Sequence, residues 1–209
     1  MSILLVAGLG NPGREYAKTR HNAGFAVIDA LAARQALAWR RQPRFHATVA
    51  RWEQAPGGTC LLAKPTTFMN DSGRALRALA DFHKVPLAGI IVIYDDLAID
   101  LGRVKISVRG SAGGHNGVAS LLEHLGGGFI RYRIGTGPKH PPEMDLKDFV
   151  LGKFTPDEQT VFNHHLTTYV DGLGLLIAQG PAQAMNQLNR RTDHNDPDQT
   201  QLPRDLHPR

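Results

Sequence analysis

Ile90-Ile91-Val92-Ile93-Tyr94-Asp95-Asp96 is the stretch that decides the fold. Five successive apolar or aromatic residues leave no polar face, which predicts a strand covered on both sides. The two carboxylates mark where the chain leaves the core. Working outward, residues 3–7, Ile-Leu-Leu-Val-Ala, form a second run of this kind, stopped by Gly8. Strands of this type belong to sheets sandwiched between helices, and helical spacing occurs between them. Residues 23–37 place Phe25, Ile28, Leu31 and Ala32 on one side. Residues 72–83 do the same with Leu76, Leu79, Ala80 and Phe82, and Pro86 closes the segment. Residues 45–52 and 103–108 alternate as strands with one wetter face. Gly57-Gly58 signals a hairpin before a strand at 59–63. A short helix at 118–125 and a strand at 131–135 follow. Thr155-Pro156-Asp157-Glu158 is a capping box opening a long helix to about residue 179. The expected architecture is α/β, a single-domain three-layer sandwich with a mixed, mainly parallel sheet flanked by helices. Residues 1–188 form the domain. From Asn189 to the end the chain is polar and contains proline, and it reads as a flexible tail.

Length and charge narrow the function classes. A chain of 209 residues can bury one real core. No apolar run is long enough to span a membrane, and the N-terminus lacks the basic region of a signal peptide. The one cysteine, Cys60, lies in an apolar run and reads as a small buried hydrophobe. The formal net charge of +5 favours a polyanionic partner.

Several chemistries are excluded by pattern. Gly8-Leu9-Gly10-Asn11-Pro12-Gly13 matches a dinucleotide fingerprint, but the first recognisable helix starts near Asn22, too late to meet a pyrophosphate. The required acid on a second strand is also missing. There is no nucleophile-elbow serine motif and no metal-ligand spacing. His164 and His165 are adjacent, diverge on a helix and read as surface residues.

Four segments carry polar groups that structure alone does not require. They are Gly10-Asn11-Pro12-Gly13 with Tyr16 and Thr19-Arg20-His21-Asn22; Thr66-Thr67-Phe68-Met69-Asn70; Tyr94-Asp95-Asp96; and Gly113-Gly114-His115-Asn116-Gly117. Three follow predicted strands, where ligand crevices of open α/β sheets lie. With RYRIGTG and FVLGKF further on, they resemble, in order and spacing, the bacterial peptidyl-tRNA hydrolase family over about residues 1–188.

The resemblance implies an ester hydrolase acting on peptidyl-tRNA, cytoplasmic and monomeric, with no membrane association and with no cofactor or metal. His21 matches the general base and Asp95 the acid that orients it, with Asp96 as the structural alternative. Asn11, Asn70 and Asn116 match three active-site amides whose separate roles the sequence leaves open. Asn11 and Asn116 also suit turns, and Asn70 suits a helix cap. Phe68 and Met69 match apolar substrate contacts or core positions. Tyr16 matches a tRNA contact, and His115 a supporting position. Lys105 and Arg133 match phosphate contacts. At Ser107 the chain departs from the pattern, because some relatives carry a second lysine there, and Arg109 is the expected substitute. Lys18, Arg20 and Arg131 are further candidates. Two other readings stand beside this one. A non-catalytic RNA-binding protein would be distinguished by an added apolar partner surface. An esterase for small substrates would cleave simple esters equally well.

Overall fold

A computed structural model describes residues 3–190. The elements in chain order are β1 (Ile3–Gly8), α1 (Ala23–Arg34), β2 (Arg40–Gln42), β3 (Ala47–Ala55), β4 (Gly58–Pro65), α2 (Ser72–His83), β5 (Ile90–Asp100), β6 (Val104–Ser107), α3 (Asn116–Leu125), β7 (Ile130–Gly137), α4 (Leu146–Leu151) and α5 (Pro156–Leu188). The strands form one sheet in the order β2-β3-β4-β1-β5-β7-β6. The central strands β4, β1, β5 and β7 are parallel. The remaining pairings, β2 with β3, β3 with β4 and β6 with β7, are antiparallel.

The apolar runs are explained by two cores, one on each face of the sheet. Val6, Ile91 and Ile93 pack with Ile28 and Leu31 of α1 and with Leu173 and Leu176 of α5. Their neighbours Leu5, Ala7, Ile90 and Val92 pack with Leu76 and Leu79 of α2 and Leu121 of α3. Successive strand side chains point to opposite faces, so a strand with helices on both sides must be apolar throughout. The expected mixed three-layer sandwich is the one observed.

Two glycines set the distance between the layers. A β-carbon at Gly24 would stand 2.3 Å from the carbonyl oxygen of Ile93, and one at Gly8 2.4 Å from that of Gly24. Only hydrogen side chains let the first turn of α1 press onto β1 and β5 this closely. The residues just before α1 are thereby held against the middle of β5. Gly8 thus serves helix packing, and α1 begins ten positions after Gly13, as the rejection of dinucleotide binding requires.

Element boundaries differ from expectation for local reasons. The first helix ends at Arg34 rather than near 37, because Ala36 takes a left-handed conformation at φ 51. The strand expected from residue 45 starts at Ala47: Pro43–Phe45 is a 3-10 turn and His46 is left-handed at φ 50. Strand β5 continues to Asp100, with a shift of register between Asp96 and Asp100. Helix α3 starts at Asn116, two residues early. The capping box opening α5 is present, and the helix runs to Leu188 with a break at Gly180, φ 77, followed by Pro181. Strand β2 and helix α4 are additional elements. Asn189, read as the first tail residue, joins its side-chain amide to both backbone groups of Ile106, at 2.8 Å each, on the edge strand. Residues 191–209 of the expected tail lie outside the described residues.

Candidate active site

The loops after β1, β4 and β6 converge with residues 94–98 of β5 and the N-terminus of α3 around a cavity of about 1060 Å³. His21 sits in a 3-10 turn, Arg20–Asn22, immediately before α1. It is 6% exposed. Its Nδ1 lies 2.9 and 3.1 Å from the two carboxylate oxygens of Asp95 in the middle of β5. An ionised carboxylate only accepts, so Nδ1 carries a proton, and in the neutral ring Nε2 keeps its lone pair.

A second imidazole completes the group. His115 Nε2 is 3.1 Å from Asp95 Oδ1. His115 is also the N-cap of α3, and its Nδ1 accepts the backbone N–H groups of Gly117 at 3.1 Å and Val118 at 3.3 Å. Two N–H donors aimed at Nδ1 require it to be unprotonated. His115 is therefore neutral, with its proton on Nε2 and directed at Asp95. Burial acts first on the Asp95 carboxyl and would raise its pKa. The N–H groups that His115 and His21 turn toward it outweigh burial and hold Asp95 below the usual carboxylate range.

His21, Asp95 and His115 offer ligand atoms within 4.8 Å of one another, a spacing that suits a metal ion. The hydrogen bonds argue otherwise. Freeing the Nε2 lone pair of His115 would move its proton to Nδ1, against two backbone donors.

The three asparagines differ. Asn11 is buried and braced by Asn22: the Asn11 backbone N–H donates to Asn22 Oδ1 at 2.8 Å, and Asn22 Nδ2 donates to the Asn11 carbonyl at 3.0 Å. Asn11 Oδ1 accepts the Met69 N–H at 2.7 Å, which fixes its amide orientation. Asn11 therefore has only its NH₂ left for the cavity it lines. Asn70 and Asn116 are exposed and line the same cavity. No side-chain cap bond joins the 70–71 region to α2, so the capping alternative for Asn70 is not the one observed. Asn22 was not singled out by itself from the sequence. Its signal was its place beside His21.

Phe68 and Met69 both line the cavity but differ in burial. Phe68 is 58% exposed and meets Tyr16 edge-on, with ring centroids 6.3 Å apart. Met69 is 4% exposed and belongs to the core beneath the site. Asp96 lines the cavity but does not reach His21. It accepts from Arg133 Nε at 2.8 Å and from the Ala98 N–H at 2.9 Å.

The expected cations also separate. Arg133 and Arg109 line the cavity. Lys105 is exposed and directly opposite Arg133 across the β6–β7 pair, hence on the same face, but it lies outside the cavity lining. Lys147 on α4 lines the cavity and was missed, because the helix that carries it was missed. Two further candidates are engaged within the protein, Arg131 while also lining the cavity. Arg131 is 4% exposed and spends its guanidinium on the carbonyls of Gly110 and Ser111, holding the loop before α3. Arg20 is equally buried and bonded within the protein.

Comparison with known proteins identifies the family. The family model described as Peptidyl-tRNA hydrolase matches residues 5–196. The chain is 44% identical over 199 residues to the peptidyl-tRNA hydrolase of Gloeobacter violaceus, covering 95% of this chain and 100% of that protein. It is 42% identical to that of Lactiplantibacillus plantarum over 88% of this chain and 99% of the relative. The crystal structure of peptidyl-tRNA hydrolase from Acinetobacter baumannii superposes with a TM-score of 0.82 at 36% identity, covering 90% of this chain and 94% of that one. The chain belongs to the peptidyl-tRNA hydrolase family.

Proposed function

We propose that this protein hydrolyses the ester joining a peptide to the terminal ribose of tRNA, with His21 as general base. The observation that carries the reading is the buried His21–Asp95–His115 group, which leaves one imidazole nitrogen, His21 Nε2, with a lone pair at the cavity. In this reading His21 Nε2 takes a proton from a water as the water oxygen bonds to the ester carbonyl carbon. Asp95 stabilises the imidazolium that forms. As the carbon–oxygen bond to ribose breaks, the imidazolium returns the proton to the departing ribose oxygen. The products are free tRNA and a peptide with a carboxyl terminus.

Asn11 has only N–H donors to offer, so it suits the carbonyl oxygen, on which negative charge develops. Asn70 and Asn116 keep both halves of their amides for the peptide or the attacking water. Exposed Phe68 and half-buried Tyr16 form an aromatic wall for the terminal nucleotide. Arg109, Arg133 and Lys105 are the proposed phosphate contacts, with Lys147 beside them. Among the described residues no helix is long and apolar enough to cross a membrane. The family likeness supports a cytoplasmic monomer acting in translation, and a concentration-dependent dimer in sedimentation would overturn that part. The function itself is tested by incubating purified protein with an N-blocked aminoacyl-tRNA. Release of free tRNA is expected, and an intact ester after long incubation would reject the proposal.

A further inference from the structure

Arg20 immediately precedes His21, yet its side chain runs away from the cavity into the junction between α4 and α5. NH1 donates to the carbonyl of Lys153 at 2.9 Å and to that of Phe149 at 3.4 Å. NH2 meets Glu158 Oε2 at 2.5 Å. The guanidinium carbon lies 4.1 Å from the ring centroid of Phe149 and 5.2 Å from that of Phe154. The backbone joins in, with the Arg20 N–H donating to the Gly152 carbonyl at 3.1 Å and Thr19 bridging Lys153. Glu158 Oε2 also accepts the Thr155 N–H at 2.8 Å, closing the cap of α5.

Helix α4 has only six residues, too few to hold itself in place. Four of them, Leu146, Lys147, Val150 and Leu151, line the cavity. The position of this wall relative to His21 thus passes through the Arg20 guanidinium together with the backbone bonds of Thr19 and Arg20 beside it. We propose that Arg20 is a positioning residue that locks the α4 wall of the cavity to the turn bearing His21. The proposal rests on the reading of His21 as the base and deepens it. It predicts that loosening Arg20 weakens capture of the substrate before it harms the chemistry, because Asp95, not Arg20, orients the imidazole. Arginine is required for its geometry: a planar fork can serve two carbonyls and a carboxylate while its faces lie on rings, and a lysine ammonium cannot.

Arg20→Ala would leave a hole and could unfold the junction. The test therefore uses Arg20→Lys, which keeps the charge without the fork, and Glu158→Gln, which keeps a capping side chain without the charge. Amide hydrogen exchange is followed across 146–152 and, as reference, in β5, alongside kcat and KM for an N-blocked aminoacyl-tRNA as a function of pH. In both variants exchange across 146–152 should quicken about tenfold or more while β5 is unaltered, the mark of a local opening. KM should rise severalfold, with kcat and the shape of its pH profile unchanged. Exchange in α4 at the parent rate in both variants would overturn the proposal. So would equal quickening of α4 and β5, which would make Arg20 a general stabiliser. The exchange measurement needs no substrate, so it decides the lock even if peptidyl-tRNA proves not to be cleaved.

Discussion

His115 Nε2 and Asp95 Oδ1 stand 3.1 Å apart, and the opposite nitrogen of the same imidazole caps α3. One neutral side chain thus ties the acid in the middle of β5 to the helix that begins with Asn116. His115→Ala removes a donor from Asp95 and a cap from α3. Chemical denaturation should show a loss of about 1 kcal/mol from the cap alone. Steady-state kinetics should show a fall of about tenfold in kcat as the carboxylate loses one of its two holds. A variant as stable and as active as the parent would refute this double role.

Asp95 fixes which nitrogen of His21 is protonated. Asp95→Asn would offer an NH₂ as readily as a carbonyl and let the ring take the wrong tautomer. kcat should fall by about 10²-fold or more, with KM little changed. Full activity in this variant would show that the carboxylate is not needed to hold the base.

The depressed pKa of Asp95 has a sign that can be checked. The folded value lies below the unfolded one, so the ionised group adds stability above the unfolded pKa of about 3.9. That contribution is lost as pH falls through the lower, folded value. The stability difference between the parent and Asp95→Asn should therefore be flat above about pH 5 and shrink on further acidification. A difference that grows toward acid would contradict the assignment.

Asn22→Ala removes two buried hydrogen bonds to Asn11 while touching no substrate group. Each is worth about 1 kcal/mol, so unfolding should occur at lower denaturant. The freed Asn11 amide should cost about tenfold in kcat, more than in KM. An unchanged kcat would mean that Asn11 needs no brace or no role.

Phosphate contacts are read most clearly from salt. Removing Arg109 or Lys105 should lower the slope of log affinity for tRNA against log salt by about 0.7 to 0.9 for each phosphate lost. Arg131→Lys should instead affect the loop it holds, seen as lost stability rather than an altered slope. Equal slopes in all variants would remove these cations from the RNA surface.

The sandwich was legible because its central strands are apolar on both faces and its helices carry clear periodicity. The candidate site was legible as four polar segments that structure alone does not require, and the resemblance to the family singled out His21, Asp95 and the three asparagines among them. What escaped was short or polar. Strand β2 is Arg-Arg-Gln, with no alternation to betray it. Helix α4 has two turns at most, and with it went Lys147. Burial of a charge is equally hidden, since nothing in Thr-Arg-His-Asn shows that Arg20 turns inward to Glu158, 138 positions on. The second role of His115 depends on where α3 begins, two residues before apolar periodicity can show it.

The most direct test of the central claim is release of free tRNA from an N-blocked aminoacyl-tRNA by the parent and by His21→Ala. Rapid cleavage by the parent and a loss of at least about 100-fold in the variant are predicted, the usual scale for a general base. Cleavage that survives the substitution would contradict the assignment of His21.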